Sequence, residues 1–332
     1  MKASAREYAP LSNFESKAIK WLWEPFIAYG MVTVLEGDPN VGKSFFAMKL
    51  AATVSAGGIL PDGQEVDGAD VFYISAEDDP SFTIRPRIES MGGDPELVHV
   101  QGKFSPFDEE GIKALRREIR RNPASLVIID TLYSFVPSGT NIFQANEIRV
   151  FLAHLSEIAK ESGAAFAVIR HLKKSRADKA IYQGVGAIDV IGVARSALLI
   201  GVHPDDPDMR VVAHVKHNLS ERGNSQGYRL VSRPGSQIPQ FKWAGPVNLT
   251  AEQLSALPTV PSALEEAVRY LQQELSNGAA NAVDLQRKAM TVGIAARTLD
   301  RAKKELNVKT SKSGSTWIWS LRRGKDAKDA KS

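Results

Sequence analysis

Cysteine is absent from all 332 residues, which excludes disulfide staples and thiolate metal centres and fits a reducing compartment. Long apolar runs are missing as well. No stretch approaches the roughly 20 apolar residues that cross a bilayer, and Met1 to Phe14 is polar, without the apolar centre of a secretory signal. The composition reads as a soluble, cytoplasmic protein with no membrane contact. Net charge is also scarce, at +4, but it is unevenly placed. From Met290 to Ser332 eleven Lys/Arg stand against four Asp/Glu, a local +7 that leaves −3 for everything before. A basic C-terminal segment on a near-neutral body suggests a nucleic-acid contact, while residues 322–332 read as a solvated, disordered tail. Hydrophobic residues, at 43%, suffice for one large core and a small second domain. Among the histidines, His99, His154, His203, His214 and His217 show no metal-like spacing with carboxylates, so no zinc site is expected.

One motif dominates what is there. Gly37-Asp38-Pro39-Asn40-Val41-Gly42-Lys43-Ser44 fills the phosphate-loop pattern GxxxxGK[ST], between an apolar strand over 31–36 and a helix over Phe45 to Ala52. The glycines let backbone N–H groups wrap phosphates, the lysine reaches the β and γ phosphates, and the serine hydroxyl ligates Mg²⁺. ATP and Mg²⁺ are therefore the expected ligands, with Gly37 through Phe45 as the nucleotide-binding set. Three strand tips extend the site. Val71 to Ser75 runs into Glu77, Asp78 and Asp79, where Glu77 is placed to polarise an attacking water and the two aspartates to support it. Leu126 to Ile129 is a buried parallel strand whose Asp130 meets the metal beside Ser44. Ala164 to Ile169 delivers Arg170 and His171, the latter where a side chain can sense the γ-phosphate. Ligands of open α/β sheets bind outside the carboxyl ends of the strands, so these tips converge. No NKxD guanine-reading motif is found.

The succession of these stations, preceded by Trp21-Leu22-Trp23-Glu24-Pro25-Phe26, resembles the RecA-fold ATPases of the plasmid RepA replicative-helicase type, relatives of DnaB-type helicases found on plasmids, phages and other mobile elements. The resemblance covers about residues 15–245. It implies an α/β RecA-like core with a mostly parallel sheet and a DNA helicase assembled as a ring, commonly a hexamer, with each active site between neighbours. It also implies an arginine finger given in trans, for which Arg195, ending the stretch 184–195, is the candidate. Lys216 in Lys216-His217-Asn218 is a second trans candidate, although Asn218 departs from the arginine that related helicases carry there. The loop at 172–187 would face single-stranded DNA in the channel through Lys173, Lys174, Arg176 and Lys179. With Tyr182 its only aromatic, backbone tracking is expected over base stacking. A primase or another replication protein fits as a further partner. The same core also suits a non-translocating DNA-binding ATP switch, such as a recombination mediator, loader or regulator.

Prolines at 234, 239, 246, 258 and 261 mark the end of the core. Segments follow as an N-terminal stretch 1–20, an ATPase domain 21–245 with an edge strand around Phe241 to Trp243, a linker 246–261, and a small domain 262–321. In that last domain the helical stripe Leu264, Ala267, Val268, Leu271, Leu275 precedes helices over 283–290 and 295–306 and a hairpin around Ser313-Gly314. Three helices and a basic hairpin are the pattern of a winged helix. Its third helix would lie along a DNA groove, with Arg297, Arg301, Lys304 and Lys312 as contacts.

Overall fold

Short Val, Ile and Leu runs, too apolar for a surface and too brief for helices, build the centre of the molecule. The computed structural model describes residues 8–103, 105–137, 145–171, 192–255, 263–276, 278–291, 294–313 and 316–321, and the chain divides into two compact units, Met1–Leu257 and Pro258–Ser332. The first unit is organised by nine strands: β1 Val32–Gly37, β2 Val71–Ser75, β3 Val98–Val100, β4 Leu126–Asp130, β5 Ala165–His171, β6 Ser196–His203, β7 Asp206–His217, β8 Ser225–Val231 and β9 Gln240–Val247. They form one sheet in the order β9-β8-β7-β6-β1-β5-β4-β2-β3. From β6 to β3 every neighbouring pair is parallel, whereas β7, β8 and β9 add on antiparallel.

Alternating residues of the central strands point to opposite faces, and each face carries its own helices. Leu35, Ile128 and Ile169 pack under α1 (Lys43–Ala56) and α2 (Arg85–Ser90), while Val34, Ile129 and Val168 pack under α3 (Glu109–Arg121) and α4 (Ala145–Ser162). Helix α1 is apolar on nearly every side because it is buried. It stops at Gly57, whose φ of +68° suits a glycine and whose N–H caps the Val54 carbonyl. Helix α3 starts because the Asp108 carboxylate accepts from the Gly111 amide at 2.9 Å. Ile112, Leu115 and Ile119 give it one buried stripe. A short hairpin, Trp21–Trp23 with Ile27–Ala28, places Leu22, Trp23 and Phe26 in the core on the α1 face.

The segment after the expected edge strand remains part of the first unit further than its prolines suggest. Strand β9 runs on to Val247, and α5 (Ala251–Ser255) buries Ala251 and Leu254 in the α4-side core. Proline at 246 is accommodated because β9 is the outermost strand.

The second unit contains α6 (Ala263–Glu274), β10 (Ala280–Asn281), α7 (Ala282–Thr291), α8 (Ala296–Glu305), β11 (Lys309–Ser313) and β12 (Thr316–Ser320). Its three strands are antiparallel in the order β10-β12-β11. Ala267, Leu271, Leu285, Leu299 and Trp319 make its core, and the Tyr270 hydroxyl donates to the Leu285 carbonyl at 2.7 Å. No described helix in either unit is long and apolar enough to cross a membrane.

Candidate functional site

The phosphate loop is the turn between β1 and α1, and its glycines are set by their neighbours. A Cβ on Gly37 would stand 2.3 Å from the Ile200 carbonyl oxygen of β6, so any side chain would push the loop off the sheet. Gly42 has φ +100°, and a Cβ there would meet the Tyr228 hydroxyl at 3.1 Å. Asn40 takes a positive φ of 64°, which asparagine tolerates better than most residues. Pro39 and Asn40 are exposed, whereas Val41 is buried in the α1-side core and anchors the loop. No side chain caps the first turn of α1, so its amides are available to an anion.

Lys43 folds back along this loop. Its ammonium donates to the carbonyls of Gly37 at 2.9 Å and Asp38 at 2.6 Å. Burial pulls its pKa from the ordinary 10.5 down to about 8, against the opposing pull of Asp130, Asp38 and Glu77. The Ser44 hydroxyl is hydrogen-bonded to the Asp130 carboxylate. The Phe45 ring lies 4.4 Å beneath the Arg87 guanidinium.

The parallel register brings the other tips to the same end of the sheet. Ser75 is opposite Asp130, and Gly37 is opposite His171. Asp130 is buried and accepts from the Tyr73 hydroxyl at 2.8 Å; burial raises its pKa, and the bonds from Ser44 and Tyr73 hold it back. His171 is pushed below its ordinary pKa by burial and by the Lys43 charge, while Asp130 pulls the other way. It is therefore neutral at pH 7. Glu77 is exposed, held in a turn where its own amide and that of Asp78 donate to the Ser75 hydroxyl at 3.3 and 3.1 Å. Its charge reaches both Lys43 and Asp130.

The two aspartates beside it serve otherwise than their sequence position suggested. Asp79 caps the helical turn 80–84, accepting from the amides of Ser81 at 2.8 Å and Phe82 at 2.9 Å. Pro80 at the first position has no amide of its own to satisfy, so the next two reach the carboxylate. Asp78 lies 3.6 Å from Arg87 and has its pKa raised by burial first and by Asp130 after the opposing Arg87.

Two oxygens suited to a hard cation, those of Ser44 and Asp130, are adjacent. Among the described residues no group of three or more His, Cys, Asp or Glu could hold a metal ion. That donor set fits Mg²⁺, which keeps several waters and completes its shell with phosphate oxygens rather than with a protein cage. The loop can thus accept a triphosphate, the Ser44–Asp130 pair its metal, and Glu77 and His171 flank the far end.

Arg195 and Lys216 are not brought to this site. Arg195 is exposed at the entry to β6, and its amide donates to the Val32 carbonyl at 3.3 Å. Val32 and Gly37 are the two ends of β1, about 16 Å apart at the usual rise per strand residue. Lys216 is close by, donating to the carbonyls of Gly192 at 3.2 Å and Ala194 at 3.0 Å, with its pKa lowered by burial and by the Arg195 charge. Lys173, Lys174, Arg176 and Lys179 lie outside the described residues. In the second unit Arg297, Arg301 and Lys304 are exposed on one side of α8, spaced i, i+4 and i+7, and Lys312 is exposed on β11.

Several participants gave no motif. Tyr73 steadies Asp130, and Tyr228, fully buried on β8, donates to the Gly42 carbonyl at 3.1 Å. Glu36 and Arg170, the charged residues inside otherwise aliphatic strands, pair with each other at 0% exposure. Their signal was legible in principle, since a charge in a buried strand demands a partner.

Comparison with known proteins agrees with this geometry. Residues 7–177 match the family described as an AAA domain. The chain is 23% identical over 147 residues to the DNA repair protein RadA of Streptococcus pneumoniae, covering 44% of this chain and 31% of that protein. It is 32% identical over 135 residues to the DNA repair protein RAD51 homolog 2 of Arabidopsis thaliana, covering 35% and 33%. The matched segment spans about a third of the length of these curated relatives. Among solved structures, the ATPase domain of a helicase aligns at TM-score 0.46 and 16% identity, over 60% of this chain and 81% of that one. The family match takes in more than half of the chain, including the phosphate loop, Glu77, Asp130 and His171, and the protein therefore belongs to the AAA domain family, with a P-loop ATPase core.

Proposed function

We propose that this protein is an ATP-hydrolysing DNA motor, a ring-forming helicase of the replicative type found on mobile elements, with a RecA-like core over 21–245 and a winged helix over 262–321. The observation that carries the reading is the placement of charge along the sheet. Lys43, Asp130, Glu77 and His171 share one end, and Arg195 is exposed at the other.

In this mechanism the loop amides and Lys43 hold the β and γ phosphates. Lys43 gives up its two loop carbonyls for phosphate oxygens, and their negative charge restores its proton affinity. Ser44 and Asp130 hold Mg²⁺, which when bound neutralises charge on the phosphates. Glu77 orients and polarises a water in line with the γ-phosphorus. His171, neutral and close to Lys43, offers a hydrogen bond that exists only while the γ-phosphate is there, and its loss is passed to the chain that follows β5. Arg195 completes the site of a neighbouring copy, a hexamer being the expected ring, and Lys216 is next to it. Lys173, Lys174, Arg176 and Lys179 track single-stranded DNA, while Arg297, Arg301, Lys304 and Lys312 contact duplex phosphates and bases.

The curated relatives are named DNA repair proteins, and that favours a second reading in which nucleotide controls assembly on DNA without unwinding. ATP hydrolysis measured with and without single-stranded DNA, beside strand displacement on a forked duplex, separates the two. Stimulated hydrolysis with displacement is expected of the motor. Nucleotide-dependent assembly without displacement would support the switch, and absent ATP turnover would refute both.

A further inference from the structure

Behind the sheet, on the face away from α1, a second set of residues stands one step from each phosphate-side station. Glu36 precedes Gly37 and Arg170 precedes His171, and the two are register partners across β1 and β5. Strand alternation sends them to the side where Val34 and Val168 pack, while Leu35 and Ile169 face α1. Arg170 Nε donates to Glu36 Oε2 at 2.8 Å, and Nη2 reaches the same oxygen. The guanidinium also hydrogen-bonds the Tyr133 hydroxyl. Tyr133 is half-buried in the helical turn Leu132–Phe135, directly after Asp130, where the hydroxyls of Thr131 and Ser134 meet at 3.1 Å.

Stability alone is a weak reason for this arrangement. Two charges removed wholly from water recover their lost hydration only when the geometry is excellent, and here Nε and Nη2 converge on one carboxylate oxygen rather than forming a fork. An aliphatic pair of similar volume would fill the space without that cost. What the ionic link supplies instead is direction: it ties β1, β5 and the turn after β4 to each other just below the points where they deliver the phosphate loop, His171 and Asp130.

We propose that Glu36, Arg170 and Tyr133 are positioning residues for nucleotide hydrolysis, fixing the mutual geometry of the three tips from the reverse face of the sheet. This inference rests on the ATPase reading. Its test uses the full chain carrying Glu36→Leu with Arg170→Met, compared with Tyr133→Phe. The double variant is expected to melt within a few degrees of wild type and to keep its KM for ATP within about threefold, yet to lose kcat by on the order of 10- to 100-fold, as misoriented active-site groups do. Tyr133→Phe should show a smaller kcat loss with unchanged melting. Wild-type kcat in a double variant of recovered stability would overturn the proposal. If the double variant does not fold, Tyr133→Phe and Arg170→Lys decide: unchanged kcat in both overturns it, since lysine lacks the planar fork that serves two acceptors. Should wild type itself hydrolyse no ATP, the ATPase reading fails, and calorimetric affinities for ATP and ADP still judge the link. It then predicts reduced discrimination between them in the variants, and unaltered discrimination contradicts it.

Discussion

The two ends of β1 are built on opposite principles. At Gly37 a buried lysine is surrounded by carboxylates, with Asp130, Asp38 and Glu77 all acting on it. At Val32 the neighbours are cationic, an exposed Arg195 beside Lys216. A triphosphate needs more positive charge at its γ end than Lys43 and one Mg²⁺ provide when charge spreads over the transferring oxygens. The cations that could add to it stand about 16 Å away along the same strand. One end therefore reads as a nearly complete site, and the other as the missing part of a second copy's site.

The sharpest way to break that contrast at the acidic end is Glu77→Gln, which keeps shape but cannot polarise water. Turnover should fall by on the order of 10²- to 10⁴-fold while ATP affinity, measured by calorimetry, stays near wild type. Equal turnover would remove Glu77 from the chemistry.

A smaller effect follows from Lys43, whose pKa in the nucleotide-free protein is about 8 instead of 10.5. Bound phosphates draw it back up, so ATP binding takes up a proton above pH 8. Affinity should be flat below pH 8 and weaken by up to about tenfold per pH unit above it. The sign for folding is the reverse. Between pH 8 and 10.5 the unfolded chain holds the proton that the folded one has released, so this group adds stability as pH rises through that window. Calorimetry in buffers of different ionisation heat reads the proton uptake directly, and none at pH 9 would contradict the burial of a charged Lys43.

The smallest expected effects lie in the second unit. Arg297→Ala and Arg301→Ala should each reduce the salt dependence of duplex DNA binding by about one in the log–log slope, with ATP turnover unaltered. A slope that does not change would assign the exposed side of α8 to another partner.

Much of the acidic end was legible in sequence, because phosphate binding dictates glycine and lysine spacing and because buried parallel strands are written as aliphatic runs. Strands β1, β2, β4 and β5 fall where those runs stand. Strands β6 to β8 gave no such signal, since they mix polar and apolar residues and acquire their place from pairing with one another. Tyr228 was silent for the same reason, as its bond to Gly42 spans 186 positions. Asp79 misled because a carboxylate beside a metal-site strand and a carboxylate capping a turn before proline share the same local spelling. The prolines after residue 233 suggested an early exit from the core, but an outermost strand tolerates Pro246, and Leu254 returns to the interior.

The most direct test mixes two inactive proteins. Lys43→Ala destroys a subunit's own phosphate site and leaves its Arg195 intact, while Arg195→Ala does the reverse; each alone should lose turnover by on the order of 10³-fold. If sites are shared between copies, the mixture recovers ATP hydrolysis well above the sum of its parts, because an intact phosphate loop then meets an intact arginine. Activity that never exceeds that sum, at any mixing ratio at which the two proteins co-assemble, would contradict the assignment of the two ends of β1 to two sites.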